Sequence, residues 1–346
     1  MVIGDKITTL HGSGGPETME IIKRFILSKI PNNLWKVGEG YGLDVLDDGS
    51  TILVDGKHFV LSIDSFTVNP IFFPGGNIGH LAVSGVINDL VMMGARPIAF
   101  MDTIIVEEGF PVKDLEKIID SITTILKKYN IALIGGDFKV MPKNSLDKII
   151  VTGAGIGYAE KPIIDKPRPG DKIIVSGPIA DHGATILAAQ LGLLEENAGL
   201  RSDSRPLIDT ILPVLEKYRD HINAARDPTR GGLAITLNEW VNHTKFAIII
   251  DRSSVPVREE VRYFLDALGI DPLSVASEGV AVLSVRPDAA EEVVDELVRR
   301  GEKYATIIGE VVEPEEEVLE GRVIAITEVG GKTIVQPNAL NLPRIC

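Results

Sequence analysis

Cysteine is all but missing from this chain: of its 346 residues one is a cysteine, and it is the last, Cys346. A single thiol forms no internal disulfide. With no apolar core of signal-peptide length in Met1 to Leu10 either, the chain is expected in the cytoplasm. Unbroken apolar runs are also scarce. The longest, Leu81 to Val106, is interrupted by Asn88-Asp89 and Arg96-Pro97, which makes it buried helix, turn and strand and not a membrane span. The six histidines show no His-x-x-x-His or similar spacing, so no zinc or iron site is expected. Positive charge is in deficit. The 35 Lys and Arg against 49 Asp and Glu leave a net charge of −14, which argues against nucleic acid or an anionic membrane as the main partner. No Gly-Lys-Ser/Thr closes a Walker loop, and no Gly-x-Gly-x-x-Gly opens a helix after a strand, so neither of those nucleotide sites is supported.

What is present is enough apolar sequence, 45%, to build two domains of ordinary size. Helical spacing runs over Glu17 to Ile30, Ile78 to Met93 and Val112 to Tyr129. Strands are expected at Thr51 to Leu53 and His58 to Ile63 around an Asp55-Gly56 turn, then at Ile98 to Val106, Ile131 to Ile134 and Lys148 to Tyr158. A segment rich in proline and charge, Lys161-Pro162 to Pro169-Gly170, marks a domain boundary. Beyond it strands are expected at Lys172 to Ser176, Ala247 to Ile250, Val280 to Val285 and Ala305 to Val311. Helices are expected at Gly183 to Leu191, Leu207 to Tyr218, Gly232 to Val241, Glu259 to Leu268 and Ala289 to Arg299. Helix and strand alternate in both halves, so the class is α/β or α+β. The chain divides into a glycine loop and helix (1–40), a first domain (41–160), a second (161–312), and an acidic segment with a flexible tail (313–346). The last ~10 residues are expected to be extended and to reach roughly 30 Å.

A thiolate is the strongest common side-chain nucleophile, and a chain end is the most mobile place for it. Cys346 therefore suggests a group bonded to sulfur, swung into a pocket and altered there; a chance surface thiol is the other reading. His11-Gly12-Ser13-Gly14-Gly15 precedes a helix, where glycines and a helix N-terminus can receive an anion, though an ordinary loop has the same composition. Asp48, Asp64, Asp89 and Asp137 fall at expected element ends. Each alone suggests a cap; together they suit magnesium with nucleotide phosphates. Lys139 shares a face with Asp137 and is placed to meet a phosphate. Asp227-Pro228-Thr229-Arg230 leads into a helix, where Asp227 is either a cap or a polar hook, and His182 opens another helix as a structural or capping histidine.

Taken together these segments resemble the superfamily of ATP-using enzymes that includes aminoimidazole ribonucleotide synthetase, selenophosphate synthetase and thiamine monophosphate kinase. Within it they resemble the HypE family of hydrogenase maturation factors. The resemblance runs from the His11 glycine loop through Asp64-Ser65-Phe66, Phe72-Phe73-Pro74-Gly75-Gly76-Asn77-Ile78-Gly79 and Asn88-Asp89-Leu90. It continues through Gly136-Asp137-Phe138-Lys139-Val140, Asp181-His182-Gly183-Ala184, Asp227-Pro228-Thr229-Arg230 and Ile308-Gly309-Glu310-Val311 to the ending Pro343-Arg344-Ile345-Cys346, its most specific part. The chain departs from the family pattern at Phe138, at Ser277 and Val280, and at Gly49-Ser50-Thr51.

The resemblance implies a two-domain fold whose first domain pairs with its copy in a homodimer, with ATP and Mg2+ at the domain boundary. It implies nucleotide contacts from Gly12, Ser13, Gly14, Gly15, Asp64, Asn88, Asp89, Asp137, Lys139 and Asp227, and metal contacts from Asp48, Asp64, Asp89 and Asp137. It implies that HypF carbamoylates Cys346, that this chain dehydrates the product to an S-cyanate, and that a HypC–HypD complex receives the cyano group. Catalysis would fall to Cys346, to Glu278 as the base and to Lys139, with Arg344 lowering the pKa of the thiol. Two other readings stand beside this one: a carrier without ATP turnover, and a kinase or ligase acting on a free small molecule.

Overall fold

The computed structural model describes residues 6–195, 199–338 and 344–346. After the glycine loop, α1 (Pro16–Ile21) starts on a proline at its first position and continues through wider and tighter turns to Lys29. The hairpin of β1 (Ser50–Val54) and β2 (Lys57–Phe66) closes through Asp55 and Gly56, both at positive φ, as a two-residue hairpin requires. The short pair β3 (Phe72–Phe73) and β4 (Gly76–Asn77) leads into α2 (Ile78–Met92). The Asn77 side chain caps this helix, accepting from the N–H groups of Gly79 and His80. Then follow β5 (Arg96–Glu107), α3 (Val112–Tyr129), β6 (Ala132–Met141) and β7 (Ile149–Ala159).

The first sheet has the order β1-β2-β7-β5-β6, with only β5 and β6 parallel. α2 is buried on nearly all sides because it lies between this sheet and the second domain. Its close approach needs glycine beneath it: a Cβ on Gly155 of β7 would meet Val86 at 2.7 Å and Leu90 at 2.9 Å. The other face of the sheet is uncovered. Ile63 and Met101 are exposed on it, and β6 is an edge strand open along almost its whole length.

The second domain holds β8 (Lys172–Val175), α4 (Asp181–Gln190), α5 (Leu212–Lys217), β9 (Ile222–Arg226), α6 (Gly232–Val241), β10 (Ala247–Asp251), α7 (Glu259–Leu268), β11 (Val282–Val285), α8 (Ala290–Arg299), β12 (Thr306–Val312), β13 (Val323–Ile326) and β14 (Lys332–Val335). Its sheet runs β14-β13-β10-β12-β8-β11-β9. Three of these strands, β9, β13 and β14, are four or five residues long and carry no alternation that the sequence reading could use. β13 and β14 extend the sheet into the segment expected as acidic tail. The helix expected from Leu207 begins only at Leu212, because Pro213 fits the first turn of a helix and not its interior. β6 continues through Gly135 and Gly136 to Met141, so Asp137 is mid-strand and not at an element end. Among the described residues no helix is long and apolar enough to cross a membrane.

Asn88 staples the domains together. Its amide donates to the carbonyls of Arg205 and Glu278 at 3.0 and 3.2 Å, and its oxygen accepts from Leu207 N–H at 2.9 Å. One apolar core continues from α2 into the second domain and reaches the C-terminal Ile345.

Candidate active site at the domain boundary

The last three residues are seated between the domains. Arg344 and Cys346 run antiparallel to the chain leaving β2: Thr67 N–H donates to the Cys346 terminal oxygen at 3.0 Å, and Asn69 N–H to the Arg344 carbonyl at 3.0 Å. The Thr67 hydroxyl adds a second bond to the Cys346 oxygen at 3.1 Å. From the second domain His182 meets the Ile345 carbonyl at 2.7 Å, and Ile345 is buried. Arg344 is held elsewhere, by Asp147 and by the Thr67 carbonyl, so it is not the cation that acts on the thiol. Pro343 lies outside the described residues.

The seated thiol faces Asp64, Glu278 and Arg230. Burial pushes its pKa up to about 12; Arg230 opposes the rise, while Glu278 and Asp64 add to it. Seated, Cys346 is a protonated thiol, poorly suited to attack but well placed to present a group already bonded to sulfur.

Carboxylates surround this position. Asp64 on β2 and Asp89 near the end of α2 come from the first domain, Asp227 and Glu278 from turns of the second, and Asp48 from the loop before β1. Burial raises all of their pKa values, and their mutual repulsion raises those of Asp48, Asp89, Asp227 and Glu278 further, Asp227 to about 7. Ser62 donates to Asp89. Arg226 lies 3.3 Å from Asp48 and 2.8 Å from Asp165, and partly offsets the charge on that side. Three buried oxygens, Oδ2 of Asp48, Oδ2 of Asp227 and Oε1 of Glu278, have no hydrogen-bond partner among the described residues. Buried anionic oxygens left without donors are costly unless a cation or a ligand donor meets them. No three acidic, imidazole or thiol groups among the described residues form a closed cage. The set nevertheless suits magnesium, which takes one or two carboxylates and fills its remaining positions with water and phosphate.

The glycine loop packs onto the same region. Arg230 donates to the Gly12 carbonyl at 3.1 Å, and a Cβ on Gly14, at φ +86, would meet Arg230 Cβ at 3.0 Å. Ser13 caps its own turn through the Leu10 carbonyl, and Gly15 opens α1 as its N-cap. Asp48, Asp64, Asp89, Asp227, Glu278 and Cys346 are thus brought together, with Gly12 and Gly14 against Arg230. Asn88 is close by, but both of its amide hydrogens are taken up between the domains.

Asp137 and Lys139 are not brought to this place. They pair with each other at 2.6 Å on the exposed face of β6. The lysine holds the Asp137 carboxyl below its usual range. The expected metal set therefore loses Asp137 within one chain, because three strand spacings, ~14 Å, and the thickness of the sheet separate it from Asp64. Three residues of this site carry little signal in the sequence: Arg230, one polar residue of the Asp227-Pro228-Thr229-Arg230 turn; His182, whose place at a helix start suits a structural or capping role; and Thr67, which nothing in its neighbourhood singles out.

Comparison with known proteins agrees with this architecture. Residues 46–159 match the model of the AIR synthase related protein N-terminal domain, and 168–322 that of its C-terminal domain. A putative hydrogenase expression/formation protein of Methanocaldococcus jannaschii is 42% identical over 99% of this chain and 100% of its own length. The carbamoyl dehydratase HypE of Rhizobium leguminosarum is 36% identical over 100% of this chain and 96% of its own length. A crystal structure of a HypE–HypF complex superposes with a TM-score of 0.82 at 35% identity, covering 91% of this chain and 99% of that one. HypE crystallised in complex with ATP gives 0.80 at 35% identity, over 99% and 100%.

Proposed function

The chain belongs to the HypE family of carbamoyl dehydratases, and from that membership we propose that it dehydrates an S-carbamoyl group on its own Cys346 to an S-cyanate, using ATP. The observation that carries this reading is the seat of the Cys346 thiol among Asp64, Glu278 and Arg230 at the domain boundary.

The reaction needs a poor leaving group, the amide oxygen, to be made a good one. Transfer of the γ-phosphoryl group to the carbamoyl oxygen does this, and ADP departs. The C–O bond then breaks, inorganic phosphate leaves, and the nitrogen loses both protons as the C≡N bond forms. The overall yield is S-cyanate, ADP and phosphate. Hydrogen bonds from Thr67 and His182 hold the tail so that the group bonded to sulfur lies in the carboxylate pocket. Glu278, whose pKa burial raises, is a stronger base than a free carboxylate and takes a proton from nitrogen. Arg230 offsets charge that builds on the transferring group. One or two of Asp48, Asp64, Asp89 and Asp227 would hold magnesium, which when bound supplies charge neutralisation for phosphoryl transfer.

Partners follow the same reading. HypF loads the carbamoyl group while the tail is out of its seat, where the thiol has an ordinary pKa. A HypC–HypD complex accepts the cyano group for hydrogenase iron, and the work is cytoplasmic. The open face of the first sheet pairs with a second copy. Asp137 and Lys139 then lie at that interface, and their part in the chemistry belongs to the paired form. The test is phosphate release from MgATP by the carbamoylated full-length protein and by a chain that lacks the last three residues. Release that depends on those residues is expected. Equal release from both would point to a free small-molecule substrate, and none from either to a passive carrier.

A further inference from the structure

We propose that His182 is the latch of the tail, setting through its bond to Ile345 whether Cys346 lies in the carboxylate pocket or outside it. This deepens the reading of Cys346 as carrier and rests on it. A carrier must leave its seat to be loaded and unloaded and return to be processed, so something must hold it with limited strength. Most of the tail's bonds come from the first domain, from Thr67, Asn69 and Asp147. His182 supplies the hold from the second, in the first turn of α4, and is fully buried.

The protons on this link can be assigned. A carbonyl only accepts, so His182 Nε2, 2.7 Å from the Ile345 oxygen, carries the proton. Nδ1 is then the acceptor, and Ser202 Oγ, 2.7 Å away, donates to it. Ser202 Oγ in turn accepts from Ser204 N–H at 3.1 Å, which leaves its own hydrogen free for the imidazole. The Phe73 ring stands edge-on to the imidazole, with centroids 5.5 Å apart, and fixes its plane. Burial holds the ring at a pKa of about 4, so it stays neutral and keeps this tautomer.

Nε2 has no acceptor among the described residues other than the tail carbonyl. When the tail leaves, a buried N–H loses its partner, and that loss favours return. The latch is one hydrogen bond strong, enough to bias the seat without closing it. Its support, Ser202, borders an interdomain cavity of ≈ 730 Å³, so the bond also links the tail to the contact between the domains.

The chain has one cysteine, so thiol labelling reads the tail alone. The experiment follows the rate of maleimide addition to Cys346 in the full-length, unmodified protein, for wild type, His182→Met, His182→Gln and Ser202→Ala. Circular dichroism and MgATP affinity, followed on each variant, separate release of the tail from unfolding. Wild type is expected to label slowly, His182→Met and Ser202→Ala roughly tenfold faster, the worth of one neutral hydrogen bond. His182→Gln keeps a donor within reach and should stay near wild type. Folded His182→Met or Ser202→Ala labelling at the wild-type rate overturns the proposal, as does His182→Gln labelling as fast as His182→Met. Because no carbamoyl group is involved, the result stands apart from whether the protein dehydrates one.

Discussion

Asp64 and Asp137 stand on opposite faces of one sheet, three strands apart. The paired row runs Asp64, Gly153, Asp102, Gly136 across β2, β7, β5 and β6, and Asp137 is one residue beyond it, so its side chain projects from the other face. One face carries the carboxylate pocket; the other carries Asp137, Lys139 and exposed apolar residues. The two faces have separate work, and separate substitutions test them.

On the open face, Ile63 is 70% exposed and Met101 41%. A bare edge strand with an apolar face is unstable in isolation and a ready surface for pairing. Ile63→Asp is expected to leave the fold intact and convert a dimer to monomer at micromolar concentration. Light scattering checks this. A monomeric wild type, or a variant of unchanged mass, contradicts the pairing.

In the pocket, repulsion between carboxylates makes stability depend on pH. Asp227 is raised to about 7, and Asp48, Asp89 and Glu278 are raised well above their ordinary values. A carboxyl raised in the folded state stabilises most below its unfolded pKa and loses that contribution as pH climbs through the folded one. His182, lowered to about 4, acts in the opposite sense only while unfolded histidine still titrates, so its contribution is complete above about pH 7. Ligand-free protein should therefore melt lower at about pH 9 than at about pH 7. Asp89→Asn should reduce that fall while weakening MgATP binding roughly tenfold or more. Calorimetry that finds the same pH dependence in wild type and Asp89→Asn, with unchanged MgATP affinity, places the charge problem elsewhere.

How much of this was legible in the sequence varies with the kind of information. The long elements were: α3 has the expected bounds, its apolar stripe of Ile118, Ile122, Ile125 and Leu126 facing the core. The sequence groups Asp48, Asp64 and Asp89 with Asp137; the fold brings the first three together with Asp227 and leaves Asp137 apart. Strand β6 was cut short because Gly135 and Gly136 look like a terminator. Parallel pairing with β5 carries the strand through them, which sets Asp137 mid-strand on the open face. His182 could not be distinguished from a structural histidine, because its partner is a carbonyl 163 residues away. Arg344 beside Cys346 is expected to lower the pKa of the thiol, yet it turns to Asp147, leaving Arg230 as the cation that acts on the thiol.

Glu278 carries the elimination in this account. Glu278→Gln keeps the shape of the side chain and removes its basicity. MgATP binding and carbamoylation should persist, while cyanate formation slows ~10²-fold or more. Rapid-quench kinetics over a single turnover measures this, and a wild-type rate of water loss would take Glu278 out of the mechanism.

The central claim is that the group altered is the one bonded to Cys346. The most direct measurement is the intact mass of the carbamoylated protein before and after a single turnover with MgATP, for wild type and Cys346→Ala. The account predicts that wild type takes up one carbamoyl group and then loses the mass of one water, with the change mapped to the C-terminal peptide, and that Cys346→Ala folds, binds MgATP and never gains the group. Carbamoylation and water loss in Cys346→Ala, or a carbamoylated wild type whose mass stays constant while ATP is consumed, would contradict it.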